Sequence, residues 1–212
     1  MRNDLYACHG TQMGVAMKQK LLITGFEPFG KDTINASWEA VSRLPDEVGG
    51  YELMKLQIPT VFGLAAETVL GAAKEFCPDV ILCIGQAAKR DSVTPEVAAL
   101  NLRDASIADN AGNAPQDVPV IQGGENAYFS SVPCRAIVDA VKAEGIPCVL
   151  SYSAGVYVCN DLFYTLLHHY HKTKTRVGFI HVPYLPEQAE EGGICLPLDV
   201  TMQALEIAIK AV

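Results

Sequence analysis

The sequence predicts an α/β domain built on a largely parallel sheet, and three observations carry that prediction. Apolar runs of strand length alternate with helical patterns along the chain, as they do where helices cross over between parallel strands. One run, Asp79 to Ile84, is apolar without alternation, the pattern of a strand covered on both faces. No internal repeat or linker divides the 212 residues, a length that supports one domain with a sizeable core.

Each element has its own local signal. Lys20 to Thr24 reads as a first strand stopped by Gly25, and the loop Gly25-Phe26-Glu27-Pro28-Phe29-Gly30 follows. Asn35 is placed to cap a helix over Ala36 to Leu44. Tyr51 to Gln57 alternates as a strand, and Thr60 precedes a helical pattern from Val61 to Phe76 that Pro78 ends. After the Asp79–Ile84 strand and the loop Gly85 to Arg90, Thr94 to Leu102 reads as extended. Residues 103–127 are rich in Asp, Asn, Gly and Pro without period, and a loop of that length is usually functional. Pro133 opens a helix that runs to Glu144 and closes at Gly145. Cys148 to Ser151 reads as a short strand, followed by a turn at Ser153-Ala154-Gly155 and a helix with Val156, Cys159, Phe163, Leu166 and Tyr170 on one face. A strand over Arg176 to His181, a Pro- and Gly-rich loop over Pro183 to Pro197 and a last helix from about Asp199 complete the chain.

Composition narrows the function classes. Half the residues are hydrophobic and only 19% are charged, which excludes a disordered chain. A net charge of −8 speaks against a nucleic-acid partner, which would ask for a basic stripe. No apolar run approaches the roughly 20 residues of a membrane span. Residues 1–16 lack the apolar core of a secretory signal and read as a poorly ordered extension, with the domain proper over 17–212. The seven cysteines, at 8, 77, 83, 134, 148, 159 and 195, form no C-x-x-C pair, so neither a zinc ribbon nor a dithiol centre is expected. The expected compartment is the reducing cytoplasm.

In open parallel sheets, sites gather at the carboxyl ends of strands. Phe26, Phe29, Gln86, Cys159 and His181 all fall at such ends. Cys159 sits in the first turn of its helix, where free N–H groups and the helix dipole favour a thiolate. His181 ends the next strand, and a helix start lies beside the end of the strand that follows it. A cysteine nucleophile with a histidine base is therefore expected, although each residue alone also suits a buried core position. A third group should orient the imidazole. Glu96 is the candidate, because an isolated carboxylate in the apolar stretch Val93 to Leu100 would be costly without a partner. His168, His169 and His171 suggest a metal, but three histidines in the last turn of a helix also suit its negative end, and no carboxylate or cysteine at ligand spacing accompanies them. No metal and no cofactor are expected.

From about Lys20 to the C-terminus the sequence resembles the pyroglutamyl-peptidase I (pyrrolidone-carboxylate peptidase) family of cysteine peptidases. The likeness is carried by Thr24-Gly25-Phe26-Glu27-Pro28-Phe29-Gly30 with Ile34-Asn35, by Gly85-Gln86-Ala87 with Thr94-Pro95-Glu96, and by Asp109-Asn110-Ala111-Gly112-Asn113. It continues through Ala127-Tyr128-Phe129-Ser130, Ser153 to Asn160, and Gly178 to Gln188. The resemblance implies a single three-layer α/β domain with a largely parallel, mixed central sheet flanked by helices, of the phosphorylase/hydrolase type. It implies a Glu–Cys–His triad at Glu96, Cys159 and His181, and removal of N-terminal pyroglutamate from peptides through a thioester. Phe26, Phe29 and Tyr157 would form the substrate pocket with Gln86. A homodimer or homotetramer is a further implication.

The sequence departs from the family pattern at several places. The arginine of the family's D-A-R-I-P-D-N stretch, thought to assist the oxyanion, is Ser106, and the arginine after the triad glutamate is Val97. The second glycine of F-G-G is Lys31, and A-G-G-R has become Ala87-Ala88-Lys89-Arg90. The alternative these departures raise is a catalytically weak homologue that binds pyroglutamyl-capped peptides or acts on another lactam or amide. An active enzyme would need water, Arg103 or Arg90 to replace part of what Ser106 lacks.

Overall fold

A computed structural model describes residues 18–190 and 193–212; the expected N-terminal extension over 1–16 lies outside the described residues. In chain order the elements are β1 (Gln19–Phe26), α1 (Ala36–Ser42), β2 (Glu47–Val48), β3 (Tyr51–Ile58), α2 (Leu64–Phe76), β4 (Val80–Gln86), β5 (Thr94–Pro95), β6 (Ala98–Leu100) and β7 (Ala127–Phe129). There follow α3 (Cys134–Ala143), α4 (Val158–Tyr170), β8 (Arg176–Val182) and α5 (Leu198–Lys210). Six strands form one mixed sheet in the order β2-β3-β1-β4-β8-β5. The four inner strands are parallel, while β2 and β5 run antiparallel at the two edges. The expected fold class is the observed one.

Helices cover both faces, which is why β1, β4 and β8 can be buried along nearly their whole length, while β3, next to the edge, keeps exposed polar residues. On one face, α1, α3 and α5 close over Leu21, Ile23, Leu82, Ile84, Ile180 and Val182. On the other, α2 and α4 close over Leu22, Ile81, Cys83, Val177 and Phe179. Phe179 is fully buried between Phe163 of α4 and Phe26 of β1, at ring distances of 5.7 and 6.5 Å. Truncating it to alanine would cost about 3–5 kcal/mol. Gly25 lets α1 lie against β1, because a Cβ there would sit 2.7 Å from the Trp38 backbone. Among the described residues no helix is long and apolar enough to cross a membrane.

Local signals hold at α1, where the Asn35 side chain accepts from the Ser37 N–H, and at α3, which starts after Pro133 and ends before Gly145 at φ +76°. Three expectations change. Thr60 is not a helix cap: its N–H and hydroxyl turn to Glu27, and α2 begins only after Gly63. The extended stretch Thr94 to Leu102 splits into β5 and β6, because the chain changes partners: β5 and the Glu96 N–H bond β8, the Val97 N–H turns to Ser151, and β6 pairs with β7. Residues 148–151 form isolated parallel bridges, Val93 with Cys148 and Glu96 with Ser151, rather than a strand.

Candidate active site

Cys159 is the second residue of α4, after Gly155 at φ +81° and an extended Tyr157 that offers no side-chain cap. The helix N–H groups therefore keep their field at the cysteine. Because α4 leads directly into β8, its start lies toward the carboxyl end of that strand, where His181 is the penultimate residue. Residues alternate faces along a strand, so His181 shares the α2/α4 face with Val177 and Phe179. Its ring lies 4.8 Å from that of Phe179. Gly85, its partner on β4, makes the space: a Cβ at Gly85 would meet the His181 ring at 3.0 Å and the Phe179 ring at 2.9 Å.

Glu96 is brought in by the chain leaving β5. Its N–H bonds the Phe179 carbonyl at 2.9 Å, and its Oε1 lies 2.7 Å from His181 Nδ1. Arg90 Nη1 donates to the same oxygen at 2.7 Å. Burial works to raise the Glu96 carboxyl, but the hydrogen bond and charge of His181, with help from Arg90, hold it below the ordinary value of 4.5. An ionised carboxylate only accepts, so Nδ1 carries the hydrogen and Nε2 of a neutral ring keeps its lone pair.

Burial also sets the resting charges of the other two groups. It lowers His181 below 6.5, against the pull of Glu96. It pushes the Cys159 thiol up to about 12, with Glu96 and Cys83 adding to the effect and Arg90 opposing it. Desolvation and a nearby carboxylate thus act against the thiolate expected at the helix start, and burial favours the uncharged imidazole.

Beside the cysteine, three aromatic rings form one wall. Phe29 and Tyr157 lie 5.5 Å apart, and Phe62 meets Tyr157 edge-on at 5.2 Å. The Tyr157 hydroxyl donates to the Ala108 carbonyl at 3.0 Å, tying this wall to the long loop. That loop folds around Asp109, whose carboxylate accepts from the N–H groups of Phe62, Ala111 and Asn113. Of the expected pocket residues, Phe29 and Tyr157 are brought together, whereas Phe26 is a core residue, 2% exposed, beneath Phe179. Gln86 is set apart. One residue on from Gly85, it turns to the opposite face, where its Oε1 accepts from the Ala36 N–H and Gln188, and its Nε2 donates to Asp32. Its side chain anchors the start of α1.

Similarity to known proteins agrees with this architecture. A model of the pyroglutamyl peptidase family matches residues 19–212. The chain belongs to the pyroglutamyl peptidase family. Its relatives include the pyrrolidone-carboxylate peptidase of Bacillus velezensis, 46% identical over 199 residues that cover 91% of each chain. Among solved structures, pyroglutamyl peptidase I of Bacillus amyloliquefaciens superposes with a TM-score of 0.87 at 45% identity, covering 92% of this chain and 96% of that one. The pyrrolidone carboxyl peptidase of Thermococcus litoralis gives 0.86 at 32% identity, covering 92% and 93%. Membership makes the chain a hydrolase of the cysteine-peptidase class.

The departures from the pyroglutamyl peptidase pattern now have places in the fold. Ser106 is exposed on the long loop. Arg103, three residues earlier, is committed to the fully buried Asp161 at 2.6 Å and lies over the Phe62 ring. Val97 packs against the core under α3 and α5. Lys89 adopts φ +68°, a conformation that costs a side-chain-bearing residue about 1–2 kcal/mol. His168 Nδ1 is 3.0 Å from the Tyr128 hydroxyl, and His171 Nδ1 is 2.6 Å from the His168 carbonyl. Asn160 and Asp161 were legible only as polar residues following the cysteine. Asn160 bonds Leu100 through its side-chain oxygen and nitrogen and also reaches the Leu102 carbonyl, locking β6 to α4, and Asp161 Oδ2 accepts the Gly63 N–H at 2.7 Å.

Proposed function

We propose that this chain removes an N-terminal pyroglutamyl (5-oxoprolyl) residue from peptides, with Cys159 as nucleophile, His181 as acid and base, and Glu96 orienting the imidazole. The observation that carries the reading is the 2.7 Å bond from His181 Nδ1 to a buried, ionised Glu96, at the strand end served by the start of α4. Starting from a neutral pair, the His181 Nε2 takes the Cys159 proton as sulfur attacks the pyroglutamyl carbonyl. The imidazolium, stabilised by Glu96, then protonates the leaving amine, and an acyl-thioester remains on Cys159. With His181 again neutral, a water gives up its proton to the ring and hydrolyses the thioester, releasing pyroglutamate.

The substrate end is an uncharged lactam, so it calls for apolar walls and few hydrogen-bonding groups rather than a carboxylate for an α-ammonium. Phe29, Phe62 and Tyr157 supply walls of that kind. The Cys159 N–H, in the first turn of α4, is one oxyanion donor.

The test is hydrolysis of a fluorogenic pyroglutamyl amide by wild type and Cys159→Ala, with and without iodoacetamide. Activity in the wild type alone, lost on alkylation, is the expected result; no cleavage by the wild type would reject the reading. The second reading, a catalytically weak homologue that holds capped peptides or another lactam, is favoured by one observation: Arg103 and Arg90 are already bound to carboxylates, so neither stands free in place of the arginine missing at Ser106. A lost oxyanion donor costs about 10²–10³-fold in turnover.

A further inference from the structure

We propose that Arg90 is a positioning residue that keeps His181 a free base, by sharing the one Glu96 oxygen that the imidazole uses. The inference rests on the proposed roles of Glu96, Cys159 and His181 and adds a residue to them.

The geometry is convergent. His181 Nδ1 and Arg90 Nη1 both meet Glu96 Oε1, each at 2.7 Å, while Oε2 is buried with no hydrogen-bond partner. A carboxylate facing an imidazole alone would draw a second proton onto the ring and hold it as a stable imidazolium. A guanidinium on the same oxygen takes up part of that charge and adds its own repulsion toward a cationic ring. The resulting base is weaker in its resting charge but available to take the thiol proton.

Arg90 is also fixed to the strand that carries the histidine. Nη1 contacts the Thr94 hydroxyl, and Thr94 Oγ1 in turn donates to the His181 carbonyl at 3.3 Å. The arginine is thus referenced to the histidine's side chain through Glu96 and to its backbone through Thr94. The left-handed Lys89 turns the loop that delivers it. Because Arg90 is 28% exposed in its side chain and Glu96 is fully buried, the arginine is the route by which the buried carboxylate is neutralised from the solvent side. The titratable and charged groups facing His181 and its carboxylate are Glu96 after β5, Arg90 after β4, Cys159 on α4, Cys83 on β4, and Cys134 at the start of α3, whose Sγ lies 3.5 Å from the Glu96 carbonyl. Arg90 is the lone permanent cation among these five, and its charge works to lower His181 and Cys159 alike.

The experiment is the pH dependence of kcat/KM for wild type, Arg90→Gln and Arg90→Lys, with thermal melting as a folding control. Removing the cation favours the imidazolium, so the acid limb of Arg90→Gln is expected to move to higher pH. The variant should lose about tenfold more activity at the acid end of the profile than at the alkaline end, the scale set by one charge a few ångströms away. Arg90→Lys keeps a cation and should hold the limb near the wild-type position. A limb unmoved in folded Arg90→Gln, with activity lost evenly at all pH values, would overturn the proposal and leave Arg90 a structural residue. If Arg90→Gln does not fold, Arg90→Lys decides, since a limb displaced upward despite the retained charge overturns it equally. Failure of the underlying reading looks different: the wild type itself would not cleave a pyroglutamyl amide.

Discussion

Glu96 and Asp161 are both fully buried carboxylates, each held by an arginine, yet they are built for different work. Asp161 accepts from Arg103 and from the Gly63 N–H, neither of which exchanges protons near neutrality, so it ties α4 to the start of α2 and to the long loop. Glu96 accepts from Arg90 and from an imidazole. One replaced partner, a histidine where the other site has a backbone N–H, separates a joint from a charge-handling centre. Arginine pairing and burial therefore do not mark an active carboxylate; a titratable partner does.

Substituting the two carboxylates isosterically should separate them most sharply. Glu96→Gln is expected to lower kcat by about 10³–10⁴-fold while the protein melts near the wild-type temperature, because a neutral amide no longer supports the imidazolium and can turn its NH2 to Nδ1, holding the wrong tautomer. Asp161→Asn should do the reverse. It should cost about 2–4 kcal/mol in denaturant unfolding, since it leaves Arg103 without its partner, while kcat per folded molecule changes less than about tenfold. Equal losses of activity at matched stability would erase the distinction.

The next test leaves both carboxylates in place and moves the ring. Gly85→Ala puts a methyl against the His181 and Phe179 rings, and a displacement of about 1 Å at a reacting group can cost about 10²-fold. Turnover should fall by that order, with Glu96→Gln adding little more in the double variant. Ser106→Arg acts from the loop on the Asp161 side. It should raise kcat by about tenfold, more than it lowers KM, as a restored oxyanion donor would; unchanged kinetics would make that position idle.

Stability against pH sharpens the comparison from the Glu96 side. His181 is held below 6.5 in the folded protein, so the unfolded chain binds its proton first and stability is lost as pH falls below 6.5. Glu96 is held below 4.5, so its contribution is present above 4.5 and is lost as pH falls through the folded value. His181→Asn should flatten the upper window in a melting series, and Glu96→Gln the lower. The smallest effect belongs to Lys89→Gly, which relieves a left-handed backbone worth about 1 kcal/mol and should raise the melting temperature by about 2–4 °C with the Arg90 contact kept.

Much of this was legible in the chain. Three of the inner strands, β1, β4 and β8, announce themselves as apolar runs and β3 by its alternation, and the ends of the strands single out Cys159 and His181 as candidates. Glu96 stands out because a carboxylate in Val93 to Leu100 has to be paired or wet. What was not legible depends on groups far apart in sequence. Asp161 meets Gly63 and Arg103, and alternation alone does not tell which face of the sheet Gln86 joins. Thr60 has the chemistry of a helix cap, but Glu27 claims it. The charge on Cys159 is hard to read from sequence for a related reason: position in a helix is local, whereas desolvation is set by the whole fold around it.

The most direct measurement is mass spectrometry of acid-quenched turnover on a pyroglutamyl amide. A pyroglutamyl thioester on the Cys159 peptide, absent from Cys159→Ser and accumulating when deacylation is slowed, is the result expected here. Hydrolysis of the amide at full rate by Cys159→Ala, or an acyl group found on a different residue, would contradict it.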